Sequence, residues 1–253
     1  MRPSCRWPAT LLAVALAGCT PSARSGTPAS TLVVGIDVSG SFRDHYEDAI
    51  AFAAYYLYAH LSGLGGLRVP TAVFMGSVGG ERPGEPKSFH PINDFARRTE
   101  EQIAADLRAW FPPVDQLTDF NAFFQRVATL VKERGLILAP LNVVLLSDGV
   151  PDVPAGARLA AGESPYARID LRPLEFLSRS VTVRLLYATP SMGENWKRQI
   201  KRKRVRLWTQ DAPVMVGWRK QLQPDLPVEQ QDGLWKWMQD NVDFRVRAAA
   251  IGH

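Results

Sequence analysis

Short runs of consecutive apolar residues alternate along this chain with longer stretches in which apolar residues recur every three or four positions. The first spacing suits strands buried on both faces, and the second suits amphipathic helices packed against them. Leu32 to Ile36 is the first such strand and ends at Asp37; a helix is predicted from Asp44 to Leu61, closed by the glycine-rich piece 63–66. Val69 to Met75 is the second strand. The Gly/Pro-rich stretch 76–86, followed by Lys87 to Phe89, predicts a short returning edge hairpin, and Asn93 to Trp110 a helix. Beyond the break at Pro112-Pro113 a helix begins at Thr118 and runs to about Arg134. Leu141 to Leu146 is a near-continuous apolar strand that ends in Ser147-Asp148-Gly149, and Val181 to Tyr187 repeats the pattern. Met192 to Arg204 is predicted helical, Val205 to Trp208 a last short strand, and Val228 to Val242 a closing helix with Leu234, Trp235, Met238 and Val242 at core spacing. Strands alternating with helices predict an α/β domain with a doubly wound, mainly parallel sheet, helices on both faces and one short antiparallel edge strand.

The chain has 253 residues and 46% apolar content, enough for one sizeable core and little besides a leader. Arg2 and Arg6 give a positive start, Ala9 to Leu16 an apolar stretch, and Leu16-Ala17-Gly18-Cys19 a small-residue end. This end resembles the lipobox of bacterial lipoproteins. The resemblance implies removal of residues 1–18, diacylation of the Cys19 thiol and attachment to the cell envelope through acyl chains rather than a spanning helix. Thr20 stands where many lipoproteins retained at the inner membrane carry Asp, which favours an outer-membrane location if the source has two membranes. Residues 19–30 are small, polar and punctuated by Pro and Gly, and read as a flexible tether to a domain spanning 31–253. Cys5 and Cys19 are the only cysteines, so a chain lacking the leader can form no internal disulfide. The formal charge of +5 becomes a balance of 28 basic to 25 acidic residues without the leader, too slight to imply nucleic acid.

Two strands end in acids, and open α/β sheets place ligand sites beyond the carboxyl ends of their strands. The first continues Asp37-Val38-Ser39-Gly40-Ser41 and the central one Ser147-Asp148-Gly149. Asp-x-Ser-x-Ser after the first strand, a Thr opening a middle helix and Asp-Gly after a later strand together resemble the metal-ion-dependent adhesion site of von Willebrand factor A domains. The resemblance spans residues 31 to about 243. It implies that Ser39, Ser41 and Thr118 offer hydroxyls to Mg²⁺ or Mn²⁺, with Asp37 and Asp148 acting through bound water or directly. A hard cation prefers oxygen ligands, and neutral hydroxyls leave its charge poorly neutralised, so an acidic side chain of a protein partner could complete the shell. The chain departs from the family at Gln116-Leu117-Thr118, where Gly commonly precedes the Thr; Thr99 and Thr129 compete for the role but fall inside predicted helices.

Each of these residues also has a local explanation. Ser39, Ser41 or Asp44 could cap the first helix, Thr118 could cap its own, and Asp148-Gly149 could be a turn. The sequence holds no G-x-S-x-G elbow, Cys/His pair, Walker loop or H-E-x-x-H motif. The expectation is therefore a metal-dependent binding module rather than an enzyme. A metal-assisted phosphoester hydrolase is the alternative, together with anionic-lipid or nucleic-acid binding through the basic run between Lys197 and Arg206, itself most simply a solvated helix face. His45, His60, His90 and His253 show no metal-ligand spacing, and Gly63-Leu64-Gly65-Gly66 follows a helix, which suits a C-terminal cap better than a phosphate loop.

Overall fold

The computed structural model describes residues 30–82, 84–85, 88–114, 116–152 and 159–243. Cys19 and all of the tether but its last residue lie outside the described residues. Strand β1 (Thr31–Ile36) is buried throughout, as its unbroken apolar run demands. It leads through a 3₁₀ turn at Gly40–Phe42 into helix α1 (Arg43–Ser62). That helix stops at Gly63, whose φ of 64° lets its N–H reach back to the carbonyls of Ala59 and His60. Strand β2 (Ala72–Ser77), the two-residue strands β3 (Gly79–Gly80) and β4 (His90–Pro91), and helices α2 (Ile92–Phe95) and α3 (Glu100–Trp110) follow. Next come β5 (Leu117–Thr118), α4 (Phe120–Glu133), β6 (Leu141–Leu146), α5 (Arg172–Glu175), β7 (Val181–Ala188), α6 (Pro190–Gln199), β8 (Val205–Asp211), α7 (Ala212–Met215) and α8 (Asp232–Met238).

Six strands form one sheet in the order β4-β2-β1-β6-β7-β8; β4 is antiparallel to β2 and every other pair is parallel. Alternation along each strand divides the core into two layers. Leu32, Val34 and Ile36 of β1 face the layer that contains α1, α3 and α8, while Val33 faces the layer of α4, α5 and α6. The doubly wound, mainly parallel architecture expected from the sequence, with its antiparallel edge strand, is the architecture observed. Among the described residues no helix is long and apolar enough to cross a membrane.

Several boundaries differ from the sequence expectation for identifiable reasons. The second strand begins at Ala72 rather than Val69, because Pro70 has no N–H to give to a ladder. The edge strand sits at His90–Pro91 rather than 87–89. The single helix expected over 93–110 is two: Arg97 takes a left-handed φ of 61° between them, and Thr99 opens α3 with a reciprocal capping box to Gln102. The next helix starts at Phe120 instead of Thr118, because the Asp119 carboxylate caps it by accepting the Ala122 N–H. Helix α6 ends at Gln199, five residues early, where the Arg202 guanidinium donates to the carbonyls of Lys197 and Ile200. Strand β8 runs on to Asp211. The closing helix is divided, because the buried Gln231 side chain bonds Gln223 and Leu226 of the preceding loop, yet Leu234, Trp235, Met238 and Val242 are all buried as their spacing predicts.

Candidate functional site

Parallel register decides which residues meet beyond the carboxyl edge. Ile36 of β1 lies opposite Leu146 of β6, so Asp37 and Ser147 emerge side by side, and the Asp37 N–H bonds the Leu146 carbonyl at 2.9 Å. The Ser147 hydroxyl donates to Asp37 Oδ2 at 2.6 Å and accepts from the Gly149 N–H at 3.0 Å. The Ser39 N–H donates to Asp37 Oδ1 at 2.9 Å, and the Ser39 and Ser41 hydroxyls are 3.2 Å apart. The Asp-x-Ser-x-Ser spacing thus brings the three side chains together, with Ser39 extended and the 3₁₀ turn at Gly40–Phe42 folding Ser41 back beside it.

Thr118 reaches this cluster from a third element. Its hydroxyl lies 3.5 Å from both oxygens of Asp37, and its side chain is buried. Two things bring it there. Helix α4 lies so close to β1 that a Cβ on Gly35 would stand 2.6 Å from the Phe123 ring, so only glycine permits the approach. In addition, Asp152 holds the Thr118 backbone twice, its carboxylate accepting the Thr118 N–H at 2.6 Å and its own N–H donating to the Thr118 carbonyl at 3.2 Å. The pairing of β5 with β3 completes the support, with Thr118 opposite Gly79. Thr118 therefore does not cap a helix, and Ser39, the residue before the 3₁₀ turn, makes no side-chain capping bond. Thr99, its competitor, caps α3 instead.

Asp148 is part-exposed beside the cluster, with Oδ1 accepting the Val150 N–H at 3.0 Å. The turn that carries it needs Gly149, whose φ is 81° and where a Cβ would stand 2.6 Å from Leu185. The buried Trp196 indole locks the same turn by donating to the Gly149 carbonyl at 2.7 Å. Ser39, Gly40, Ser41, Arg43, Val114, Gln116 and Asp152 line a cleft of about 460 Å³ over the hydroxyls.

Asp37 and Asp148 place two acids at this edge, with Arg43 lining the cleft beside them. Burial pushes the Asp37 carboxyl up to about 6, against the pull of the bonds from Ser147 and Ser39, and the negative charge of Asp148 pushes it further. No ion pair among the described residues engages Asp37 or Asp148. Two carboxylates, one of them buried, together with three hydroxyls form an all-oxygen donor set that suits a hard divalent cation. Among the described residues no group of three or more His, Cys, Asp and Glu is placed to hold a metal, so hydroxyls must supply much of any such shell. The five residues singled out from the sequence, Asp37, Ser39, Ser41, Thr118 and Asp148, are thus gathered at one edge. Three that sequence reasoning passed over, Ser147, Asp152 and Trp196, position them. Ser147 was legible in principle, because the apolar runs of two adjacent parallel strands, aligned at their carboxyl ends, put it beside Asp37.

The sequence matches no family model and no curated protein. Among solved structures, the fold is similar to a pilus adhesin, SpaC from Lactobacillus rhamnosus GG in its open conformation, with a TM-score of 0.48 and 13% identity. That match covers 83% of this chain and 30% of the adhesin, so the chain spans less than a third of that protein. It is also similar to proximal thread matrix protein 1 from the mussel byssus (TM-score 0.45, 14% identity, 76% of this chain and 46% of that one). A third similar structure is the SpRpn10 VWA domain (TM-score 0.45, 11% identity, 78% of this chain and 96% of that one).

Proposed function

We propose that this chain is an envelope-anchored, von Willebrand factor A-like protein-interaction module, tethered through an acylated Cys19, that captures an acidic side chain of a protein partner at a divalent cation. The observation that carries the proposal is the convergence of the buried Asp37 carboxylate with the hydroxyls of Ser39 and Ser41 from its own loop and of Thr118 from a distant element, with no ion pair to Asp37 among the described residues. Mg²⁺ or Mn²⁺, when bound, would supply the positive charge that this set lacks and an open position for a carboxylate. Ser39, Ser41 and Thr118 would offer neutral oxygens, which leaves most of that charge available to the partner. Asp37 holds the Ser39 backbone and accepts from Ser147, so it orients the loop that presents the hydroxyls. Asp148, part-exposed, faces solvent on the partner's side. The exposed side chains of Val114 and Val150 flank these groups and give a partner apolar surface beside the charged contact.

Calorimetric titration with Mg²⁺ and Mn²⁺ tests the first step: saturable binding is expected for the native chain and loss of binding for Asp37→Ala and Thr118→Val. Affinity capture from envelope extract tests the second, with the partner released by chelator and absent with Asp37→Ala. Undiminished metal binding by both variants, or capture that ignores chelator, would overturn the proposal.

A further inference from the structure

We propose that the opposite, amino-terminal edge of the sheet is a docking face for an anionic lipid surface, which points the carboxyl edge and its hydroxyl cluster away from the membrane. Register fixes what lies on this edge, because Thr31, Ala72, Leu141, Val181 and Val205 begin their strands in one row. The loops that enter those strands therefore share a surface, and backbone bonds stitch them together. The Thr71 N–H bonds the Ser30 carbonyl at 2.9 Å, the Thr31 N–H that of Pro140 at 2.8 Å, and the Leu141 N–H that of Ser180 at 2.9 Å. The Glu175 carboxylate accepts the Lys203 N–H at 2.6 Å, which ties in the last loop.

The composition of this face is unusual for a surface meant only for water. Val69, Ile137, Leu138 and Phe176 are exposed, Leu138 at 69% and Phe176 at 74%. Arg68, Arg134 and Arg179 stand exposed in the same loops, and the last loop adds Lys201, Lys203 and Arg204. None of the four loops, 67–71, 134–140, 176–180 and 200–204, contains an acidic residue. No ion pair among the described residues engages any of those six basic side chains, whereas Lys197 and Arg198 on the neighbouring helix are both held by Glu194. Leu138 also adopts a left-handed φ of 79°, which a leucine disfavours, while its N–H bonds the Leu177 carbonyl at 2.8 Å. The chain thus holds a strained apolar side chain out at the tip of a loop, where asparagine would be both easier to accommodate and more soluble.

Apolar tips set among cations that enter no ion pair among the described residues match an anionic bilayer, whose headgroup phosphates meet the basic groups while the tips enter the acyl boundary. A nucleic-acid backbone would use the cations and leave the apolar tips in water. The chain itself enters the fold at this edge, at Ser30 and Thr31, so a tether running from Cys19 would bring this face to the bilayer first; that clause alone rests on the lipoprotein reading.

Flotation with vesicles of phosphatidylglycerol and phosphatidylcholine, against phosphatidylcholine alone, tests the face directly. The full chain with Cys19→Ser carries no acyl group, so failure of the anchor reading leaves the measurement intact, and because residues 1–30 are the same in every variant the difference between variants reports the face. Binding to the anionic vesicles should weaken by about tenfold or more when Lys201→Glu, Lys203→Glu and Arg204→Glu are added. It should weaken several-fold with Leu138→Asn, which suits the left-handed backbone and should melt no earlier than its parent, so that loss of binding is not loss of fold. High salt should reduce the difference between the parent and the charge-reversed variant, and neutral vesicles should not distinguish those two proteins. Equal binding of all three proteins to anionic vesicles, or binding to duplex DNA in preference to them, would overturn the inference.

Discussion

At the carboxyl edge of the sheet Asp37, Ser39, Thr118 and Ser147 are buried, Asp37 is bonded to its neighbours, and side chains packed directly against Gly35 and Gly149 hold the arrangement. At the amino edge the corresponding loops expose Val69, Ile137, Leu138 and Phe176, and their exposed basic groups enter no ion pair among the described residues. The same five parallel strands set both edges, roughly 20 Å apart for six residues at about 3.3 Å each. The difference teaches that strand ends are generic and that the residues placed just beyond them decide their use. At the carboxyl edge, Gly35 near the end of β1 and Gly149 in the turn after β6 allow a tightness that fixes Asp37, Thr118 and Asp148, and a site of that kind is intolerant of change. The amino edge depends on which groups are displayed and tolerates change in stability while losing its surface chemistry.

The sharpest break of that comparison would come from Gly149→Ala. Its Cβ would meet Leu185 at 2.6 Å on a backbone with φ of 81°, and strain plus overpacking should destabilise the protein by about 3 kcal/mol in urea unfolding. A loss below 1 kcal/mol would show that the turn is looser than described. Next in size is the pH response of the metal-free protein. The Asp37 carboxyl is raised from 3.8 to about 6 in the fold, so the folded form holds its proton longer than the unfolded chain. Stability from this group is therefore present below about pH 4 and lost as pH rises through 6, on the order of 2–3 kcal/mol in all. Asp37→Asn should abolish that slope and raise the stability of the metal-free protein at pH 7, whereas saturating Mg²⁺ should flatten it only in the native chain. A native chain with no such slope would remove the charge deficit on which the metal proposal leans.

Smaller still is Asp152→Asn, which removes a charge-assisted acceptor from the Thr118 N–H. It should destabilise by about 1 kcal/mol and weaken Mg²⁺ binding several-fold in calorimetry. An unaltered affinity would separate Asp152 from the positioning of Thr118. At the other edge, Ile137→Ser should change the unfolding free energy by less than about 0.5 kcal/mol, because the side chain is 47% exposed and its removal leaves no cavity. A loss comparable to that of Gly149→Ala would erase the contrast between the two edges.

Much of this was legible in the residues themselves. The strand runs at 32–36 and 141–146 are continuous in apolar character because both faces of those strands are covered, and their ends located Asp37 and Asp148 directly. The helices were less legible where side chains override periodicity. Thr99 and Gln102 carried a visible capping signal inside a stretch whose apolar spacing continued past it, and Asp119 outcompeted Thr118 as a cap because the carboxylate of Asp152 had already claimed the Thr118 backbone. The division of the last helix depends on Gln231 bonding a loop eight residues before it, a pairing that no local pattern announces. Nor does periodicity reveal the amino edge, since it appears only when register aligns four loops far apart in the chain.

The indole of Trp196 is bound to the carbonyl of Gly149 and shielded from solvent, one residue from Asp148 along the backbone. A movement of that turn on ligation at the proposed cation site would change the surroundings of a buried chromophore, and its emission would then serve as a fluorescent gauge of occupancy. Its signal is isolated by subtracting the emission of Trp196→Phe.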